Sequence, residues 1–172
     1  MSDALKAKIR DIQDFPKKGI FFKDITPLLG DPQAFNMAIN LLADRYIGRR
    51  IDRVVGVEAR GFILGAALAY KLNVGLILVR KPGKLPAETL QAAYELEYGV
   101  DTLEVHRDAL APGSHIVLVD DVIATGGTIC AAINLVQKMQ CKIVEVAFLI
   151  ELCDLGGRKR LQDYNVFSLL QY

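Results

Sequence analysis

The chain has 172 residues, of which 52% are hydrophobic and 24% charged, with a formal net charge of +1. This predicts one domain of ordinary size with enough apolar side chain for a core, and it excludes extended disorder. So even a charge makes no electrostatic case for a nucleic-acid partner. The polar start of the chain, 1–10, lacks the apolar run of a secretory signal. The longest apolar stretches, such as 61–70 and 144–150, are too short to span a bilayer, so no membrane partner is expected. Cys130, Cys141 and Cys153 are odd in number and show no Cys-x-x-Cys spacing. They read as buried free thiols in a reducing cytoplasm, not as a disulfide framework or a zinc site.

Asp31-Pro32 is an N-cap followed by proline at the first helical position. Behind it Phe35, Ile39, Leu42 and Tyr46 recur at helical spacing, which predicts an amphipathic helix from Pro32 to about Arg49. Strands are then predicted at 51–57, 74–79, 115–120, 143–150 and 166–170, with helices at 61–72 and 127–140. Continuous apolar strands alternating with helices mean an α/β fold with a mostly parallel central sheet covered on both faces. Ligands of such sheets bind at the carboxyl ends of the strands, here just after Val57, Val79, Val119 and Ile150. One segment breaks the rhythm. Residues 81–107 form a long connection rich in Pro, Gly, Lys, Glu and Tyr, and connections of that length are usually functional. Within it, 90–97 and 103–107 could also pair as an ordered hairpin.

The most informative run is Val117-Leu118-Val119-Asp120-Asp121-Val122-Ile123-Ala124-Thr125-Gly126-Gly127-Thr128. A buried strand ends in two carboxylates, followed by a Thr/Gly loop and a helix start. Gly126 and Gly127 let backbone N–H groups approach an anion, Thr125 and Thr128 add hydroxyl donors, and the helix adds its dipole. A phosphate monoester fits that loop. Asp120 and Asp121 would repel a phosphate, so they must face hydrogen-bond donors such as vicinal ribose hydroxyls. The chain carries neither the P-loop pattern nor the dinucleotide-binding glycine pattern.

This run resembles the phosphoribosyl pyrophosphate (PRPP) signature of the type I phosphoribosyltransferases. The resemblance implies that Asp120 and Asp121 hold the ribose, and that Ala124, Thr125, Gly126, Gly127 and Thr128 hold the 5′-phosphate. Three further segments resemble the adenine-specific members of that family. Gly19-Ile20-Phe21-Phe22-Lys23-Asp24-Ile25-Thr26-Pro27-Leu28-Leu29 looks like their base-recognition segment, within about 1–35. There the backbone at Phe21 would read the Watson–Crick edge, Phe22 would stack on the ring, and Lys23 and Leu152 would complete the pocket. Both phenylalanines would also suit a core. Glu58-Ala59-Arg60-Gly61 is similar to the family's pyrophosphate loop, although a Glu–Arg pair at a strand end is also an ordinary salt bridge. Arg80-Lys81-Pro82-Gly83-Lys84, followed by Glu97-Tyr98-Gly99, resembles the mobile catalytic lid, at about 81–107; a surface charge run reads the same way. Phe167-Ser168-Leu169-Leu170-Gln171-Tyr172 also resembles these enzymes. Lys23 departs from their usual Arg, and Lys18 from a frequent proline.

The resemblance covers about Asp14 to Tyr172 and implies the type I phosphoribosyltransferase fold. The expected activity joins adenine to PRPP, giving AMP and pyrophosphate in purine salvage. Displacement at ribose C1 through an oxocarbenium-like transition state requires the leaving pyrophosphate to be neutralised. Arg60, Arg80, Lys81, Lys84 and Mg²⁺ are assigned that task, with the metal held mainly by PRPP and water. Glu97 is the candidate proton acceptor, with Tyr98 beside it. A cytoplasmic homodimer is expected. The competing readings are a hypoxanthine-guanine or xanthine transferase and a non-catalytic PRPP-fold regulator.

Overall fold

The computed structural model describes residues 2–96 and 99–172. In chain order the elements are α1 (Ser2–Lys6), β1 (Arg10–Gln13), β2 (Phe21–Asp24), α2 (Thr26–Gly30), α3 (Pro32–Ala43), β3 (Arg53–Val57), α4 (Arg60–Leu72), β4 (Gly75–Val79), β5 (Thr89–Leu96), β6 (Gly99–His106), β7 (His115–Ile123), α5 (Gly127–Lys138), β8 (Lys142–Glu151) and β9 (Val166–Gln171). The central sheet has five strands in the order β4-β3-β7-β8-β9, all parallel. Two antiparallel pairs, β1-β2 and β5-β6, flank it.

Alternation along the central strands explains the layering. Ile116 and Leu118 of β7, with Val146 and Phe148 of β8, enter a core shared with α5 and the β5-β6 pair. Val117 and Val119, with Ala147 and Leu149, enter a second core shared with α2, α3 and α4. A strand buried on both faces must be apolar at every position, which is how 117–119 reads.

The Asp31 carboxylate caps α3, accepting from the N–H groups of Gln33 and Ala34 at 3.0 and 2.9 Å. The helix stops at Ala43, short of the expected 49, and gives way to a tighter turn at Asp44–Tyr46. That turn brings Arg45 and the Tyr46 hydroxyl onto the buried Glu145 carboxylate of β8 at 2.7 and 3.0 Å. Strand β7 runs on past 120, so both aspartates belong to the strand itself. The segment at 81–107 holds the paired alternative: β5 and β6 lie in register from Thr89↔His106 to Leu96↔Gly99. Ala92, Tyr94, Leu103 and Val105 pack into the core against α5, and a bridge between Arg80 and Glu104 joins this hairpin to the end of β4. All three cysteines are free; Cys130 and Cys141 are partly buried, but Cys153 is exposed. The expectation of buried thiols therefore fails at Cys153, which lies on a turn beyond the carboxyl end of β8.

Candidate active site

The carboxyl ends of β3, β4, β7 and β8 converge on one edge of the sheet. At the end of β7 the chain turns through 124–127 and starts α5. Gly126 adopts φ +85°, the left-handed region that glycine alone enters freely. Behind it stands Gly157, whose N–H donates to the Ala124 carbonyl at 3.0 Å. A Cβ on Gly126 would meet the Gly157 carbonyl oxygen at 3.0 Å, and one on Gly157 would lie 2.2 Å from that of Ala124. Two loops thus touch backbone to backbone, which shapes a small cavity of about 80 Å³ lined by Ala124, Thr125, Gly126, Gly127 and Thr128. It lies at the start of α5, whose N-cap Gly126 offers no side-chain acceptor to the free N–H groups of the first turn, and such a helix start suits an anion.

Asp120 and Asp121 lie just before this loop, 8% and 6% exposed. The Asp120 carboxylate accepts from the Asp121 N–H at 2.8 Å. Burial, reinforced by the neighbouring Asp121, pushes the Asp120 carboxyl well above the usual range. Burial also raises Asp121, opposed by Arg60. The Arg60 Nε lies 2.8 Å from Asp121 Oδ2, yet no N–H is aligned on that oxygen. A buried carboxylate oxygen without an aligned donor favours a ligand that brings hydroxyl hydrogens. Gly61 keeps the start of α4 against the pair, since a Cβ there would sit 2.9 Å from Asp120 Oδ1.

A larger cavity of about 710 Å³ opens beside the acid pair. Its wall includes Phe21, Phe22 and Lys23 of β2, Arg60, Asp121, Ala124, Thr125, and Leu152 beyond β8. The volume is within the range of small-molecule sites. Phe21 is 62% exposed, so it is not a core residue. The Phe22 ring meets Phe15 edge-on at 5.0 Å, and the Arg60 guanidinium lies 4.8 Å from its centroid. Leu152 packs partly against the α3–α4 core. The Lys23 ammonium pairs with Asp11 at 2.6 Å and lies 3.9 Å from the centroid of the Tyr172 ring.

Of the cations at the sheet edge, Arg80 and Lys81 are already partnered. Arg80 reaches both Glu58 oxygens at 3.2 Å, and the Lys81 N–H donates to Glu58 at 2.9 Å. Burial raises the Glu58 carboxyl, but these donors outweigh it and leave the group below its ordinary value. The Lys81 ammonium pairs with Asp101 and reaches the Tyr94 hydroxyl at 3.2 Å. Lys84 is exposed, and the N–H groups of Lys84 and Leu85 donate to the buried Glu104 carboxylate at 3.3 Å. Ala59 precedes the first turn of α4. Arg60, expected beside the pyrophosphate cations, instead stands between the acid pair and Phe22. Glu97 and Tyr98 lie outside the described residues.

Sequence reasoning missed Gly157, Asp154, Leu155 and Tyr172. The last three line the larger cavity and Gly157 braces the phosphate loop. The run at 167–172 was legible as a resemblance but carried no role. Nothing in the spacing of Gly156-Gly157 announces a contact with a loop thirty residues earlier.

A model of the phosphoribosyl transferase domain matches residues 29–171. The chain is 61% identical over 170 residues to an adenine phosphoribosyltransferase from Geobacter metallireducens, covering 99% of each. It superposes on the crystal structure of the adenine phosphoribosyltransferase from Thermoanaerobacter pseudethanolicus with a TM-score of 0.97 and 53% identity, covering all of both chains. The Trypanosoma brucei enzyme, solved with AMP, pyrophosphate and ribose-5-phosphate, gives a TM-score of 0.91 at 27% identity, over 99% of this chain and 79% of that one.

Proposed function

We propose, from the premise that this chain belongs to the phosphoribosyl transferase family and among its members to the adenine phosphoribosyltransferases, that it transfers the 5-phosphoribosyl group from PRPP to adenine, giving AMP and pyrophosphate. The observation that carries this reading is one continuous cavity whose wall runs from Phe22 and Leu152 through Asp121 to Thr125. A flat aromatic base, a ribose and a 5′-phosphate need those three environments in that order.

In this reading adenine lies between the Phe22 ring and Leu152, with its Watson–Crick edge on the Phe21 backbone. The ribose hydroxyls donate to Asp120 and Asp121, which relieves the buried charge, and the loop from Ala124 to Thr128 holds the 5′-phosphate. Fixing both ends of the substrate turns remote binding energy into alignment of N9 on ribose C1. Arg60 stabilises Asp121 and stacks behind Phe22, so it couples ribose and base. Arg80 and Lys81 face the departing pyrophosphate once they exchange their carboxylate partners for it, and the exposed Lys84 joins them. Ala59 and Glu58 shape that loop. Closure of the 81–107 hairpin over the site would exclude water from the oxocarbenium-like centre. Glu97 is the proposed acceptor of the N9 proton, with Tyr98 beside it; full turnover in Glu97→Gln would assign the proton elsewhere.

Magnesium suits this donor set as a metal carried by substrate. It takes few protein carboxylates and fills its shell from phosphate and water. The Asp121 oxygen without an aligned donor offers an acceptor for a water of such an ion. When bound, the ion supplies charge neutralisation to the pyrophosphate.

We read the protein as a cytoplasmic homodimer in purine salvage. Among the described residues no helix is long and apolar enough to cross a membrane. Ile63 and Tyr70 lie two turns apart on α4 and are both exposed, Tyr70 at 90%, and Leu78 of the edge strand β4 is exposed as well. Such a patch suits a two-fold contact; a monomer mass by light scattering at micromolar concentration would reject it.

The decisive experiment incubates the protein with PRPP, Mg²⁺ and each nucleobase and separates the nucleotides by chromatography. AMP is expected from adenine. The 6-oxopurines invert the donor and acceptor at the backbone edge, so hypoxanthine and guanine should be slower by roughly four orders of magnitude. IMP formed at a rate comparable to AMP would overturn the assignment.

A further inference from the structure

The two walls of the base cavity come from distant parts of the chain. Phe22 lies on β2, at the outer edge of the fold, and Leu152 lies just past β8. Tyr172 touches the support of both. Its N–H donates to the Glu151 carbonyl at 3.0 Å and its carbonyl accepts from the Cys153 N–H at 2.8 Å. Its main chain therefore grips the residues on either side of Leu152. Its ring lies beneath the Lys23 ammonium, 3.9 Å from the centroid, and the Lys6 ammonium of α1 is 5.0 Å away. Lys23 is the neighbour of Phe22 on β2, and its side chain is only 13% exposed. Tyr172 also contributes to the cavity wall.

We propose that Tyr172 is a positioning residue for base recognition, tying the Phe22 wall to the Leu152 wall through its ring and its main chain. This rests on the proposed adenine reading. The ring, not the hydroxyl, is the working part. The phenolic oxygen is buried and without a hydrogen-bond partner, so its removal leaves no donor or acceptor stranded. A cation over an aromatic face is strongest where water is excluded, as it is at Lys23. The β1-β2 pair has only four residue pairs in register, and a two-stranded ribbon of that kind is marginal without an external anchor. The Lys23–Tyr172 contact, with the Lys23–Asp11 pair behind it, is such an anchor.

The test measures AMP formation with adenine and PRPP varied separately, alongside thermal melting. Tyr172→Leu should raise the KM for adenine about thirtyfold, the scale of a desolvated cation–π contact, with the KM for PRPP unchanged. Tyr172→Phe should restore the adenine KM to within about twofold of the starting protein. Lys23→Met should also raise the adenine KM, and the double variant should fall clearly short of the product of the two single effects, because both remove the same ring contact. The inference is overturned if Tyr172→Leu raises both KM values equally, if Phe is as damaging as Leu, or if the two single effects add. A starting protein that makes no AMP would instead sink the adenine reading, and this inference with it.

Discussion

Beside the small cavity proposed for the phosphate, Gly126 and Gly157 meet backbone to backbone and the acid pair is part of a buried central strand. At the base end, Phe22 rides on a short outer ribbon and is held by side chains: Arg60 over its ring, Phe15 at its edge, and Lys23 anchored on Tyr172. A phosphate ester and a ribose are common to every substrate of this chemistry, and a rigid main-chain cradle suits a group that never changes. A base must be told from its near relatives, and a surface-built wall can be altered without disturbing the central sheet. Damage at the two ends should therefore differ in kind. Changes at the phosphate end should disturb catalysis or the fold, and changes at the base end should act mainly on adenine affinity.

The largest effect is expected at the acid pair. Asp121→Asn keeps the volume and removes a buried charge, so melting should stay close to the starting protein. The kcat/KM for PRPP should fall by about two orders of magnitude, as for a lost transition-state contact. Near-normal turnover would detach the pair from the mechanism. Next comes Gly126→Val. The added Cβ points at the Gly157 carbonyl, not into the phosphate cavity, and the residue would be forced to a positive φ. Both the fold and the cradle should suffer, with a stability loss of about 1–3 kcal/mol for the strained backbone and a weaker 5′-phosphate site. Unchanged melting and unchanged AMP affinity would show that the two loops adapt.

At the base end the change should be smaller and selective. Phe22→Ala should weaken adenine binding by roughly 1–3 kcal/mol in calorimetry, the range for base–aromatic stacking. An equal loss of PRPP affinity would erase the distinction between the two ends. The effect furthest from turnover concerns Glu151, which precedes Leu152. The Arg158 guanidinium beside it, at 2.5 Å, holds the carboxyl down from 4.5 to about 2, against its burial. A depressed folded value contributes stability that is complete above the unfolded value, and that is lost as pH falls from about 4.5 toward about 2. Glu151→Gln should flatten that acid limb in melting experiments. A limb of undiminished slope would place the acid sensitivity elsewhere.

Much of the architecture was legible because it is local or periodic. The parallel sheet follows from apolar runs interleaved with helices, and the N-cap at Asp31 from its side chain and the following proline. The residues expected around base, ribose and phosphate do line one edge: Phe22, Leu152, Asp121 and Thr125 share a cavity. What could not be read was direction and partnership. Arg60 follows a strand end just as Arg80 follows another, and nothing in the chain says that one turns to Asp121 and Phe22 while the other turns to Glu58.

The sequence by itself therefore determined the types of the central strands and of the helices α3, α4 and α5 beside them, the apolar run that buries β7 on both faces, and the chemistry available at each strand end. Propensity, period and residue type act over a few neighbours, and those are written along the chain. Only the tertiary structure decided that α3 stops at Ala43 to let Arg45 and Tyr46 meet Glu145, that Gly157 backs Gly126, and that Tyr172 lies under Lys23. Those contacts join residues far apart in the chain, and their geometry depends on how the layers pack, which no local pattern records.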